Sequence, residues 1–479
     1  MQFEPVIGLE AHVQLNTKAK IFCSCSTEFG AEPNSHVCPV CMGFPGALPV
    51  LSKAVVEKAI SAGLALGCDI QKISVFDRKS YFYPDLPKAY QVTQLYKPIC
   101  LNGKLTIELE NGEKKTIGIT RIHIEEDAGK LVHGENIGSA ECSYVDLNRS
   151  SMPLVEIVSE PDIRSAEEAR SYMQKLRTLL VYANVSDCNM EEGSLRCDAN
   201  ISVRPAGQSK FGTRVEVKNM NSFRNVQRAV DYEIKRQEKT LREGGVIRQE
   251  TRLWDNNKGI TYPMRTKEDA HDYRYFPDPD LLPLILTDSM IEERKKALPE
   301  LPDDRKSRFI EKYGLPAYDA NLLVSDITYA NYYEETLKYH NSPKNISNWV
   351  MSEILRIVNE RNCLISEVGV SPEGLASLVK LVEEGVISGK QGKEVFHNAV
   401  TTGEKPEDII KTKGMTQLSD TYELEVIIKK IIDANPSESD RYRAGDVKLL
   451  GFFVGQVMKL SQGKANPKLV NEIIKKTLN

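Results

Sequence analysis

The sequence predicts an α+β protein in which an N-terminal domain, a polar cradle built on a mainly antiparallel sheet, precedes two all-helical domains. Short runs of alternating apolar and polar residues, typical of half-buried strands, recur over residues 1–292. Beyond them, nearly every apolar pattern has the spacing of a helix. A proline-rich stretch at 298–304 is a plausible boundary. We therefore expect domains at 1–292, 293–402 and 403–479.

Composition limits the classes of protein to consider. The chain has 479 residues, 41% of them hydrophobic, which is enough for about three ordinary domain cores. A formal net charge of −4 excludes a bulk polyanion binder, so contact with nucleic acid requires a local basic patch. No leader pattern and no run of about 18 apolar residues occurs. We expect a cytoplasmic protein that does not contact a membrane.

Helices are predicted from apolar spacing and from capping residues. In the first domain the pattern predicts helices at 53–66 and 165–183. Ser371 followed by Pro372 is a helix start, because serine caps the first turn and proline suits its first position. The helices predicted after the boundary are 304–313, 325–340, 346–360, 371–385, 446–460 and 467–478.

The predicted strands carry charge on the face that does not pack into a core. In the first strand, at 6–15, alternation separates Glu10 and His12 from the apolar side. The same pattern recurs at 118–126, 195–203 and 214–218. The polar faces carry Glu10, His12, Gln14, Arg121, His123, Glu125, Arg196, Asp198, Asn200, Arg214, Glu216 and Lys218. Faces of mixed charge indicate the lining of a reaction site, although ordinary solvated faces are the alternative.

One carboxylate favours the reaction site over the solvated face. Glu156 lies inside the apolar run LVEIV, where it needs a partner or a metal ion to stay ionised. Glu125 is followed by Glu126, which alternation turns to the opposite face unless a bulge reverses the order.

Four cysteines have the spacing of a metal site. Cys23 and Cys25 are followed, after twelve intervening residues, by Cys38 and Cys41. Two close thiol pairs separated by such a loop are typical of a tetrahedral zinc knuckle, and four sulfurs leave no open position for catalysis. We expect structural Zn²⁺ here, with His36 as the nearby competing ligand and free buried thiols as the alternative.

Two aromatic, proline-containing loops, at 76–91 and 272–280, indicate positioning of functional groups, or else cover a core edge. Five segments then form a recognisable set. They are YFYPD at 81–85, HIEEDAGK at 123–130, VDLNRSSMPLVE at 145–156, MEEGSLRCD at 190–198 and GFFVGQVMK at 451–459. Together they closely resemble the B subunit of the aspartyl/glutamyl-tRNA amidotransferases. Ser151 departs from a glycine that is common in that family.

The resemblance implies an ATP-dependent carbon–nitrogen ligase that repairs mischarged tRNA. In that family ATP phosphorylates the side-chain carboxylate of Glu on tRNA(Gln) or Asp on tRNA(Asn), and ammonia then displaces the phosphate. The ammonia comes through a tunnel from an amidase-type glutaminase A subunit, helped by a small C subunit. The choice between the two mischarged tRNAs stays open in the sequence.

The resemblance also assigns roles to residues. Glu10, His12, Glu125 and Glu156 are the expected catalytic ligands of Mg²⁺, although an imidazole is an unusual magnesium ligand. Lys79, Lys88 and Arg149 are candidates to contact the ATP phosphates or the substrate carboxylate. Residues expected near the exit of the ammonia tunnel are Lys79, Tyr81, Tyr83 and Asp198.

Two other functions remain open. One is a zinc-stabilised RNA-binding or scaffolding subunit, which would need faces rich in Lys and Arg rather than the repeated carboxylates. The other is a standalone ligase that uses free ammonia. Residues 403–479 carry a local excess of cations and are predicted to bind tRNA. The cations are Arg441, Arg443, Lys448, Lys459, Lys464, Lys468, Lys475 and Lys476.

Overall fold

The structure, a computed structural model, describes residues 2–133, 142–264, 273–414, 421–461, 465 and 467–478. It divides into two compact units, Met1–Leu301 and Pro302–Asn479. All of the described strands belong to the first unit and the second is helical, so the predicted α+β fold is confirmed. The three-domain division at 292 and 402 stays a prediction.

The first unit alternates strands with four helices. Its described strands are β1 (Phe3–Gln14), β2 (Asp69–Ile70), β3 (Ile73–Ser74), β4 (Asp77–Ser80), β5 (Tyr90–Thr93), β6 (Cys100–Glu108), β7 (Lys114–Glu126), β8 (Lys130–His133), β9 (Ser143–Asp146), β10 (Pro153–Ser159), β11 (Leu195–Pro205), β12 (Val215–Lys218), β13 (Glu250–Asp255), β14 (Ile260–Pro263), β15 (Phe276–Pro277) and β16 (Leu284–Ile285). Its helices are α1 (Lys53–Ala65), α2 (Ala166–Tyr182), α3 (Phe223–Arg242) and α4 (Asp288–Ala297).

Nine strands form one sheet in the order β14-β13-β12-β11-β1-β10-β7-β6-β2. All neighbours pair antiparallel except β12 and β13, which are parallel. Strand β1 lies near the middle, between β10 and β11. Its apolar residues Ile7, Leu9, Ala11 and Val13 are buried in a continuous apolar cluster that also includes residues of α2 and α3. One face of the sheet is thus committed to the core, and the polar face is left for chemistry.

Short sheets lie beside the main one. Strands β15, β4 and β5 form a three-stranded sheet, whereas β16 pairs with β3 and β8 with β9. Arg78 on β4 locks β15 in place, because its guanidinium donates to Asp278 at 2.9 Å and to Asp280 at 2.6 Å. The two aromatic loops noted in the sequence are brought together by this sheet, since Ser80 N–H donates to the Tyr273 carbonyl.

The second unit contains the remaining helices. They are α5 (Pro302–Tyr313), α6 (Ala317–Val324), α7 (Ile327–Tyr339), α8 (Pro343–Trp349), α9 (Leu355–Arg361), α10 (Pro372–Glu383), α11 (Gly389–Thr402), α12 (Pro406–Lys413), α13 (Thr421–Ala434), α14 (Pro436–Arg443), α15 (Leu449–Leu460) and α16 (Pro467–Leu478). The helix predicted at 346–360 is interrupted by a π-helical turn, Val350–Ile354, between α8 and α9. Ser371 caps α10 as predicted, since its hydroxyl accepts from Gly374 N–H.

Two apolar clusters hold the second unit together. One joins residues between Phe309 and Ile410, and therefore includes α12. The other joins residues between Leu424 and Leu478 on α13 to α16. Among the described helices, none is both long enough and apolar enough to cross a bilayer.

Candidate active site

Strand pairing brings the polar residues of four strands into register. His12 on β1 is the pairing partner of Glu156 on β10 and of Arg196 on β11. Glu156 is in turn the partner of His123 on β7. Adjacent strands lie about 4.8 Å apart, so directly paired residues on one face are within reach of each other. The charges predicted from separate strands therefore meet on the polar face.

His12, His123, Glu125 and Glu156 form what we call the histidine–glutamate group. His12 Nδ1 lies 3.0 Å from Glu125 Oε1 and 3.9 Å from Glu156 Oε2. His123 Nε2 lies 3.3 Å from Glu156 Oε2 and 3.7 Å from Glu125 Oε2. Ligand atoms of His12, Glu125 and Glu156 all lie within 4.8 Å of one another. Three of the four residues predicted to hold Mg²⁺ are thus gathered at one point.

Two imidazoles compensate the two buried carboxylates of this group. Burial raises the pKa of Glu125, but hydrogen bonds with His12 and His123 outweigh it and hold that pKa well below its usual range. Burial lowers the pKa of His123, but Glu156 and Glu125 raise it to about 9. The pKa of His12 is likewise raised, against its burial, by Asp198 and Glu125. Protons on the two imidazoles balance the negative charge of the two carboxylates, and a divalent cation is able to replace these protons.

Glu10 belongs to a second cluster, the acidic group, together with Asp198 and Glu216. Ligand atoms of these three carboxylates also lie within 4.8 Å of one another. Lys218 pairs with Asp198 and lies 3.0 Å from Glu216, while Asn200 donates to Glu10 at 2.9 Å. Burial raises the pKa of Glu10, and the neighbouring carboxylates raise it further.

Glu10 lies outside the histidine–glutamate group, and the single set of four metal ligands stays a prediction. Glu10 and His12 are two residues apart on one strand, a separation of about 6.6 Å, so they face different cross-strand neighbours. Asp198 joins the two clusters, since its carboxylate lies 3.8 Å from His12 Nε2. Asp198 and Glu216 were on the predicted polar faces, but the sequence offered no sign that they would meet Glu10.

Glu126 points into the protein, as alternation predicts. Its carboxylate is fully buried, pairs with Lys88, and accepts hydrogen bonds from Val92 N–H at 2.9 Å and from Ser151 Oγ at 2.7 Å. The register between β7 and β10 is regular at this point. Glu125, and not Glu126, is therefore the residue that reaches the histidine–glutamate group.

A cavity of about 140 Å³ opens on this group. Tyr81 contributes to its wall and stacks on Tyr83, with ring centroids 5.7 Å apart. The described lining residues are His12, Tyr81, Leu86, Gln91, Glu125, Asp127, Ala128, Leu154 and Arg196. Arg196, Asp127 and Gln91 are the polar lining residues to which the sequence analysis assigned no role. Alternation placed Arg196 on the polar face, and that was the available signal.

The three predicted cations are engaged elsewhere. Lys88 pairs with Glu126, and Lys79 Nζ lies 4.7 Å above the ring of Tyr273. Arg149 donates to the carbonyls of Ala128 and Gly129 and lies 3.3 Å from Asp127. None of the three is among the described residues that line the cavity. The expected phosphate contact of Lys88 is the most strongly affected, because its ammonium already has a buried carboxylate partner.

The four predicted cysteines form a cluster of sulfurs. Sγ atoms of Cys23, Cys25, Cys38 and Cys41 lie within 4.8 Å of one another. Cys41 Sγ accepts a hydrogen bond from Cys38 N–H at 3.1 Å. His36 is outside the cluster, and its backbone N–H donates to Asn148. The donor set and its spacing fit a tetrahedral metal ion.

This cysteine cluster is tied to the loop that leads into β10. Lys20 is fully buried and donates to the carbonyls of His36 at 2.8 Å and Leu147 at 3.3 Å. Ser150 Oγ donates to the Cys41 carbonyl at 2.9 Å. Further bonds join Asn34 to Val145, Asp146 and Leu147, and Ile21 to Ser151. The cluster therefore supports the segment that carries Arg149, Ser151 and, further on, Glu156.

Comparison with known proteins identifies the family of this chain. The family model described as the GatB/GatE catalytic domain matches residues 5–292, and the one described as the GatB domain matches residues 331–478. The chain belongs to the family of aspartyl/glutamyl-tRNA(Asn/Gln) amidotransferase B subunits. It is 56% identical over 479 residues to the B subunit of Thermoanaerobacter pseudethanolicus, covering 100% of both chains. It is 54% identical over 477 residues to that of Carboxydothermus hydrogenoformans, covering 100% of this chain and 99% of the relative.

The two adjacent glutamates on β7 should respond differently to neutralisation. Glu126→Gln leaves Lys88 buried opposite a neutral amide, and we expect the melting temperature to fall by roughly 5 °C or more. Glu125→Gln should lower the melting temperature much less, because the facing imidazoles can release a proton. Thermal unfolding of both purified variants measures this. Equal losses would contradict the assignment of Glu126 to structure.

Proposed function

We propose that this chain is the subunit that activates and amidates the side-chain carboxylate of Glu-tRNA(Gln), Asp-tRNA(Asn) or both. The observation that carries the proposal is the histidine–glutamate group, which opens on a small polar cavity within the segment matched by the catalytic-domain family. The product in each case is the corresponding Gln-tRNA(Gln) or Asn-tRNA(Asn). The enzyme is a ligase of translation that couples ATP hydrolysis to amide formation.

The chemistry explains why such a site is needed. A carboxylate is a poor electrophile. ATP therefore first transfers a phosphoryl group to one carboxylate oxygen, and ammonia then displaces the resulting phosphate, which is a good leaving group. Transfer of a phosphoryl group depends mainly on positioning and on charge stabilisation. Mg²⁺ would neutralise charge on the transferred phosphoryl group.

The described residues fit a divalent cation in two places. Glu125 and Glu156, with His12, would hold one ion, and replacing the imidazole protons by that ion preserves the charge balance of the group. Glu10, Asp198 and Glu216 would hold a second, with Lys218 supplying positive charge beside them. Carboxylate oxygens are the ligands that Mg²⁺ prefers, so His12 is the weakest member of the set.

Partners complete the reaction. An amidase-type glutaminase A subunit would release ammonia, and a small C subunit would stabilise the assembly. Tyr81 and Asp198 lie close enough to the two clusters to border the path by which ammonia arrives. Lys79 and Tyr83 remain candidates at the mouth of that path. We assign the complex to the cytoplasm. A purely RNA-binding role is disfavoured by the carboxylates of the polar face, and a standalone ligase would work without the A subunit.

Neutralising one ligand in each cluster tests the metal assignment. In the reconstituted complex we expect Glu125→Gln and Glu10→Gln each to reduce ADP formation on mischarged tRNA by about a hundredfold or more, because each removes charge that serves phosphoryl transfer. Glutamine hydrolysis by the partner should persist.

Glu160→Gln is the matched control, since this exposed carboxylate accepts from Thr120 outside both clusters. The assay is run on Glu-tRNA(Gln) and on Asp-tRNA(Asn), with glutamine or ammonium. Amidation at the wild-type rate by both variants would overturn the metal assignment.

We further propose that the cysteine cluster binds one Zn²⁺ with a structural role. Metal analysis should find about one zinc per chain, and replacing Cys38 and Cys41 by serine should lower the melting temperature by roughly 10 °C. Hydrogen exchange should rise at residues 145–152, because the cluster supports that loop. Cys363→Ser, outside the cluster, is the control. Metal-free protein with unchanged melting and exchange would refute the proposal.

We propose that residues 403–479 bind the body of the tRNA. Lys448, Lys459, Lys475 and Lys476 are exposed there, whereas Arg441 pairs with Asp446 and Arg443 donates to the Leu478 carbonyl. Lys464 and the side chain of Lys468 lie outside the described residues. Exposed lysines suit phosphate contacts that do not depend on base identity.

Charge reversal measures this contact. We expect Lys475→Glu with Lys476→Glu to weaken tRNA binding by about tenfold and to reduce its dependence on salt, because each lost phosphate contact removes about one released counterion. Lys104→Glu with Lys114→Glu, on exposed positions of β6 and β7, is the matched control. An unchanged affinity and salt slope would mean that these lysines are an ordinary solvated face.

A further inference from the structure

Arg196 is placed where a substrate anion would meet it. It lines the cavity and comes from β11, directly paired with His12 on β1. The described lining contains no other arginine and no lysine. The rest of the described lining consists of polar side chains and three apolar residues, namely His12, Tyr81, Gln91, Glu125, Asp127, Leu86, Ala128 and Leu154. An anion that enters it has one permanent positive charge to bind.

One nitrogen of the Arg196 guanidinium donates a hydrogen bond within the protein, and another has no acceptor among the described residues. Arg196 Nη2 donates to Asp127 Oδ2 at 2.7 Å. Its Nε is buried, and no described residue accepts a hydrogen bond from it. Arg149 lies 3.3 Å from the same Asp127 oxygen, so Asp127 is shared between two arginines and does not cancel the charge of Arg196 alone. A buried N–H without an acceptor is uncommon in proteins and indicates a missing partner.

We propose that Arg196 binds the side-chain carboxylate of the amino acid carried by the mischarged tRNA. This rests on the proposed function and names the residue that recognises its substrate. The cavity of about 140 Å³ is small beside the range of about 300–1,000 Å³ typical of small-molecule sites, which suits the short acidic side chain of an aminoacyl group.

Bound there, the carboxylate lies between a fixed cation and the histidine–glutamate group. Arg196 would hold one oxygen by a charge-assisted hydrogen bond and leave the other to be phosphorylated. Conversion to the amide removes the negative charge that Arg196 recognises, so the product binds less tightly than the substrate and leaves. Arg196 therefore selects acidic aminoacyl groups and favours product release.

The test compares two aminoacyl forms of one tRNA. In the complete complex we expect the wild type to bind Glu-tRNA(Gln) about 10- to 100-fold more tightly than Gln-tRNA(Gln), as one charge-assisted contact provides. Arg196→Gln should abolish this preference by weakening Glu-tRNA(Gln) binding while leaving the affinity for Gln-tRNA(Gln) and the KM for ATP unchanged. Arg196→Lys should recover part of the preference, because it keeps the charge without the fork.

Arg204→Gln is the matched control, because Arg204 lies on the same strand, β11, and pairs with Glu4. It should keep the full preference. If Arg196 had a purely structural role, Arg196→Gln would weaken the binding of both aminoacyl forms equally. That result overturns the proposal. If Arg196→Gln does not fold, Arg196→Lys decides, and a folded lysine variant that binds the two aminoacyl forms with equal affinity also overturns the proposal. Failure of the proposed function is distinct, since the wild-type complex would then form no ADP with Glu-tRNA(Gln).

Discussion

Compensation of buried carboxylates by imidazoles is the interaction on which this site depends. Glu125 and Glu156 are almost excluded from water, and an isolated carboxylate in such a place would take up a proton. Against the effect of burial, His12 and His123 lower the pKa of both carboxylates, and the carboxylates raise the pKa of both imidazoles. The result is a set of hard ligands that is able to bind a cation. The group itself brings no net charge into the core. The strand order makes this possible, because Glu156 comes from β10, next to β1, and Glu125 and His123 come from β7, the strand after it.

Charged residues with a structural role lie on the opposite face of β7 from Glu125. Glu126 binds Lys88 and the hydroxyl of Ser151, so the loop that carries Leu86 and Gln91 is fastened to β7. Ser151 has a φ of 59°, a left-handed conformation that costs a residue with a side chain about 1–2 kcal/mol. Its hydrogen bond to a buried carboxylate offsets part of that cost. This explains how serine is accommodated at a left-handed backbone position.

The cysteine cluster extends this support to a second loop. Lys20, Asn34 and Ser150 join it to the segment that precedes β10, and that segment includes Arg149. Arg149 in turn holds the carbonyls next to Asp127, the residue that orients Arg196. A chain of direct contacts thus connects the cluster to the cavity wall.

The sequence by itself determined which residues share a face of a strand and which four cysteines lie close together. Alternation depends only on the pleat of each strand, so it separated His12 from Leu9 and Glu125 from Glu126 correctly. Close cysteine spacing and serine helix caps are equally local signals. The tertiary structure alone decided that Glu10 joins Asp198 and Glu216, that Lys88 is occupied by Glu126, and that Arg196 lines the cavity. These outcomes depend on the register between strands that are distant in the chain, and a pattern with a period of two residues carries no information on which strands become neighbours.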